Sequence, residues 1–178
     1  DYIHYSDSNV HFYFVRNTTD RWISRNCSFR QKNGIPEIWD PVSGDVSPVL
    51  IFNQETEYIS MPLSFPPYGS YFVVFREGEP SSHFNTIFSS DTNPPVVSYR
   101  NSRLSILDNG TFTLSSEGGN KKINNSVKVQ SLDGAWELFF KEGQGAPARI
   151  IFPELISWTE HDNQAIKYFS GIVKYQKT

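Results

Sequence analysis

The sequence predicts an all-β protein built around a β-sandwich, and three observations carry that prediction. Apolar and polar residues alternate over short runs, the pattern of strands with one buried face. Aromatic residues, which favour strands, reach 15% of the chain, with 14 Phe and 9 Tyr. The 11 Pro and 11 Gly are scattered between those runs, as many short strands joined by turns require. No segment carries the 3.6-residue period of a long amphipathic helix.

The elements follow in chain order. Residues 3–6 form a first strand, turned at Asp7-Ser8-Asn9 into a second at 10–16, where Val10, Phe12 and Phe14 face one way and His11, Tyr13 and Val15 the other. Asn17-Thr18-Thr19-Asp20 is a turn by composition. Residues 22–30 alternate again through Ile23, Cys27 and Phe29, with Arg25 out of pattern. Residues 36–39 read as a short edge strand, because Pro36 cannot donate to a ladder. After the loop 40–45 come strands at 49–52 and 58–65.

The stretch 59–76, ISMPLSFPPYGSYFVVFR, closes this sandwich. Ile59, Met61, Leu63 and Phe65 share one face of an extended chain. Pro66 and Pro67 stop the ladder. Gly69 is expected to take backbone angles that other residues avoid. Residues 70–75 are apolar at nearly every position, as in a strand covered on both faces.

Periodicity then fades over 78–95. The expected organisation is a sandwich over residues 1–78, a linker over 79–98 and a second β block over 99–178. In that last part Asn109-Gly110 predicts a hairpin joining 104–107 to 111–115. Residues 117–125 read as an exposed turn. Strands are expected at Val127 and Val129, at 135–140, at 149–152 and at 166–175, with one helical turn at 153–158.

Composition excludes several functions. A formal net charge of −3 without a basic patch argues against a nucleic-acid partner. No apolar run is long enough to span a membrane. The single cysteine, Cys27, rules out an internal disulfide and is expected in the core. Asn-x-Ser/Thr triplets at Asn17, Asn26, Asn109 and Asn124 are read as chance.

Catalytic chemistry finds no constellation. Glycoside hydrolysis needs two facing carboxylates, one held protonated. Asp7, Asp20, Asp45, Asp91, Asp108, Asp133 and Asp162 instead read as turn formers, and Glu37 and Asp40 flank Trp39 without making a pair. In Glu160-His161-Asp162 adjacent side chains point apart, so no metal is expected. No phosphate loop or nucleophile elbow implies a cofactor or acyl transfer. His4 and His11 can meet across the first strand pair. Of the four tryptophans, Trp136 reads as core and Trp22 goes either way. Trp39 and Trp158 border loops beside Asp40 and Glu160 and are the candidate carbohydrate contacts, because an aromatic face stacks on the C–H side of a sugar ring.

Three phrases, IHYSDSNVHFYFVRNTTD, PEIWDPVSGDVSPV and MPLSFPPYGSYFVVFRE, together resemble the segment that follows the catalytic barrel in α-L-rhamnosidase-type enzymes, glycoside hydrolase family 106 and its relatives. The phrases LDGAWELFF, ARIIFPELISWTEH and IKYFSGIVKYQKT resemble the galactose-binding-like sandwich that such enzymes share with the β-galactosidase superfamily. One departure is the ending Tyr175-Gln176-Lys177-Thr178, where the related sandwiches run on as Tyr-Arg-Lys-x-Phe. The resemblance implies a non-catalytic accessory or carbohydrate-binding portion of a larger, secreted or periplasmic bacterial glycoside hydrolase acting on rhamnose-containing or related plant polysaccharides. Its partners would be a carbohydrate and the catalytic barrel of the same polypeptide, and its second sandwich would be cut off after a few strands. The alternative is a stand-alone carbohydrate-binding or adhesion domain. An enzyme active within these residues is a third class.

Overall fold

Alternation builds a two-sheet core from the first half of the chain. The structure, a computed structural model, describes residues 1–78, 82–91 and 94–177. Two compact units form, Asp1–Lys128 and Val129–Thr178.

In the first unit the strands are β1 Tyr2–Asp7, β2 Val10–Arg16, β3 Ile23–Phe29, β4 Ile35–Trp39, β5 Val46–Pro48, β6 Asn53–Gln54, β7 Ile59–Phe65 and β8 Ser70–Arg76. They make a five-stranded sheet, β1-β2-β8-β4-β5, and a three-stranded sheet, β3-β7-β6, both antiparallel. The sheets share one core. Tyr13, Ile38, Val73 and Phe75 come from the first, and Phe29, Ile59, Met61, Leu63 and Phe65 from the second, all at most 5% exposed. The fold is thus an all-β sandwich, and the four alternating residues of β7 lie inside it. Cys27 packs on the same core, half-buried.

The remaining strands of this unit are β9 Thr86–Ser89, β10 Val97–Arg100, β11 Arg103–Ile106, β12 Gly110–Ser116 and β13 Gly119–Asn125. β10 and β11 form a hairpin, while β13, β12 and β9 form a three-stranded sheet. The expected linker 79–98 therefore contains ordered strand. β9 is hydrogen-bonded to β12, and Ile51 bridges to Phe84, so the division between compact units falls after it, at Lys128. Residues 79–81, 92 and 93 of that linker lie outside the described residues, as does Thr178.

Several local expectations are corrected. β4 is interior, between β8 and β5. The carbonyl of Pro36 accepts from Val49 N at 2.9 Å, so its missing donor also points to the β5 side, beyond the end of β5, and β8 loses no bond. Gly69 does not hold a positive φ; Tyr68 does, at 54°. Gly69 is required by space, since a Cβ there would lie 2.5 Å from Pro66 Cγ. The hairpin turn is Asn101-Ser102, with φ of 52° and 56°, the mirror-type turn that suits strand twist. Asn109-Gly110 instead forms a corner between β11 and β12, which pair with different partners. Residues 119–125 are strand β13, polar because it is a sheet edge with little to bury.

Asn17 ties the β2–β3 turn to the proline corner. Its Nδ2 donates to Arg21 O at 2.7 Å and Pro66 O at 2.9 Å, its Oδ1 accepts from Thr19 N at 2.9 Å, and the residue is 2% exposed.

The second unit has one sheet, β15-β14-β16, from β14 Trp136–Phe140, β15 Arg149–Phe152 and β16 Val173–Gln176. A 3-10 turn, Trp158–Glu160, and a short helix, α1 Gln164–Lys167, complete it. Leu138, Phe140, Phe152 and Ile166 form its core. The expected strand over 166–175 is helical at its start because Asn163 Oδ1 caps Ala165 N at 2.9 Å. No strand forms at Val127 or Val129. No helix among the described residues is long and apolar enough to cross a membrane.

Candidate functional site

The tryptophans singled out by sequence are engaged by protein groups. Trp39 Nε1 donates to Glu37 Oε2 at 2.8 Å, and the Arg76 guanidinium lies 5.2 Å from the ring centroid. Arg76 Nε also reaches Glu37 Oε2 at 3.1 Å, closing a Trp-Glu-Arg triangle on the outer face of the five-stranded sheet. Trp158 packs against Phe140 and Phe169, and its Nε1 donates to Tyr175 Oη at 2.6 Å. Trp136 lies under Lys177 and edge-on to Tyr175, and Trp22 is 54% exposed.

Asp40 and Asp45 are brought together by Arg100, at 3.6 and 3.7 Å. Burial pulls the Asp40 carboxyl upward, but hydrogen bonds from Val42 N and Ser43 and the Arg100 charge outweigh it and hold the group below the ordinary carboxylate range. A general acid needs the opposite shift. Asp40 is therefore built to stay charged, and the two carboxylates together clamp Arg100 of β10. His161 stacks on Phe152 and accepts from Asn163 N, away from any ligand set. Among the described residues no group of three His, Cys, Asp or Glu is arranged to hold a metal. Burial pushes the Cys27 thiol up, which suits a packing role and opposes a nucleophilic one.

A row of rings along β1 and β2 is the feature that residue-by-residue reading misses. Tyr2, His4 and Ser6 lie on the inner face of β1, and His11, Tyr13 and Val15 on that of β2. Tyr13 and His4 stand opposite each other in the ladder and stack with centroids 4.1 Å apart and planes 2° from parallel. Tyr2 lies 6.4 Å from Tyr13, and His11 lies 5.4 Å from His4, with His4 Nε2 and His11 Nδ1 3.2 Å apart. Tyr13 is fixed from below by Phe29 and Phe75, and its hydroxyl accepts from Gln31 Nε2 at 2.9 Å. Burial, and then the neighbouring His11, keep the His4 imidazole below its ordinary pKa. Tyr2, His4 and Tyr13 border an open groove of about 820 Å3, whose lining is completed by residues that include Phe29, Arg30 and Tyr58. The meeting of His4 and His11 across the first strand pair was readable in the sequence; the stacking of His4 on Tyr13 and the groove were not, because the groove depends on what the opposite sheet leaves uncovered.

No family model and no curated protein matches this chain. Among solved structures, a rhamnosidase from Novosphingobium sp. PP1Y is similar over 98% of this chain, with a TM-score of 0.58 and 24% sequence identity. The chain shares that protein's local fold. It spans 13% of the neighbour's length.

Proposed function

We propose that this chain is a non-catalytic accessory region of a larger glycoside hydrolase related to the α-L-rhamnosidases of glycoside hydrolase family 106. The observation that carries the reading is the fold match along nearly the whole chain to a small part of a rhamnosidase. It is joined by the charge-holding environment of Asp40, which is the wrong one for a glycosidase acid. In this reading the first sandwich buttresses a catalytic barrel elsewhere in the polypeptide. The C-terminal block opens a galactose-binding-like module, and the whole works outside the cytoplasm on rhamnose-containing plant polysaccharides.

The test is a deletion of these residues from the full-length enzyme. The expected outcome is a lower melting temperature together with slower hydrolysis of an aryl rhamnoside. An enzyme whose rate and melting temperature are unchanged overturns the reading. So does steady turnover of aryl glycosides by the isolated chain.

A further inference from the structure

The five-stranded sheet is wider than the sheet it packs on, and its two ends are treated differently. β3 lies against β2, through Tyr13 and Phe29, and β7 lies against β8, through Phe65 and Tyr71. At the far end the β10–β11 hairpin fills the space beside β7, with Val97 N donating to Ser64 Oγ and Tyr99 Oη donating to Pro62 O. At the near end no described strand lies beneath β1. All six of its residues are exposed, on both faces. The overhang is about one strand spacing wide, about 4.8 Å.

We propose that this ledge, the inner face of β1 and β2 facing Tyr58, binds a neutral oligosaccharide. The ligand class rests on the function proposed above; the location rests on the structure alone. Three features select the ligand. First, the ledge presents flat ring surface at accessible height: Tyr2 is 66% and Tyr58 38% exposed. Those rings suit the C–H faces of sugars, while their hydroxyls suit sugar hydroxyls. Second, the floor is filled, with Tyr13 and Phe29 each 5% exposed, so it offers no deep holes for the alternate side chains of an added peptide strand. Third, the carboxylates at the rim already have cations. Asp1 pairs with Arg16 at 2.8 Å and Glu57 with Lys32 at 3.0 Å, so among the described residues Arg30 is the one charged side chain of the lining outside an ion pair, and it serves a sugar as a hydrogen-bond donor. The groove's volume of about 820 Å3 falls in the range of small-ligand clefts, roughly 300–1,000 Å3.

The experiment is a titration of the chain with an oligosaccharide ending in L-rhamnose, followed by backbone amide chemical shifts and by calorimetry. Tyr2→Ala and Tyr58→Ala are compared with Tyr5→Ala, which removes an equally exposed ring from the opposite face of the same strand. The expected result is that shifts map to β1, β2 and the loop at Tyr58, that each ledge variant weakens binding about tenfold, and that Tyr5→Ala changes it less than about twofold. The proposal is overturned if no binding is seen up to about 10 mM sugar, a concentration at which even very weak contacts register. It is also overturned if the shifts map elsewhere, if Tyr5→Ala weakens binding as much as Tyr2→Ala, or if the ledge is filled by self-association of the chain. A ledge that fails while the deletion above still costs the enzyme stability refutes this inference alone. A ledge that binds sugar while the deletion is harmless refutes the accessory role alone.

Discussion

The two flanks of the first sandwich pose the same geometric problem and solve it in opposite ways. At the β5 flank the overhang is covered by a hairpin, and polar side chains hold that cover in place. Ser64 Oγ accepts from Val97 N at 2.9 Å, Ser24 Oγ donates to Pro95 O at 2.8 Å, and Asp108 Oδ2 accepts from Val96 N at 2.6 Å. Tyr99 adds a bond to Pro62, whose ring leaves that side of β7 without a donor of its own. At the β1 flank no described strand supplies such a cover, and the inner face is built from rings that tolerate water at one edge and packing at the other. A buried flank demands that every backbone polar group find a partner. An open flank is released from that demand and is free to present side chains.

The comparison is sharpest where its two sides respond differently to substitution. Leu63, 2% exposed beneath the covered flank, should show the largest effect: Leu63→Ala is expected to cost about 2–5 kcal/mol in urea unfolding. A loss below about 1 kcal/mol would mean that the flank is looser than its packing indicates. Ser64→Ala should cost about 1–3 kcal/mol, because it strands the buried Val97 N–H. Tyr99→Phe should cost about 0.5–1.5 kcal/mol, the net value of one hydrogen bond. Burial pushes the Tyr99 hydroxyl well above its ordinary pKa, so it remains a donor across the working range.

The smallest effect belongs to the open flank and depends on pH. The His4 imidazole is held below its ordinary pKa in the folded protein, by burial first and His11 second. As pH falls through about 6.5 the unfolded chain takes up a proton that the folded chain resists, so stability drops there; above that value both states are neutral and the contribution is constant. His4→Gln should therefore lose less melting temperature than the parent chain between about pH 7.5 and 5.5. Equal losses in the two proteins would show that the ring row does not exclude the proton.

Much of the covered region was legible in sequence, and the reason is period. Ile59, Met61, Leu63 and Phe65 fix the inner face of β7 by alternation alone, and all four are at most 2% exposed. Where legibility fails, the deciding partner lies far along the chain. Pro36 reads as an edge residue because a missing donor is visible in sequence, whereas the side on which it is missing is not. β9 is four residues whose strand character comes from pairing with β12. Trp39 and Trp158 were readable as loop-bordering rings; the Arg76 and Tyr175 that engage them were not. The ledge is harder still, since it is defined by a strand that the second sheet does not have.

Asn17 carries a practical consequence. It heads an Asn-Thr-Thr acceptor triplet, yet its amide nitrogen is spent on two carbonyls inside the proline corner. An expression host that adds sugars to nascent chains would reach that nitrogen before folding does. The attached glycan would then prevent the corner from closing, so product from a yeast or insect secretory pathway should be misfolded in proportion to its occupancy at this site, while bacterial product should not.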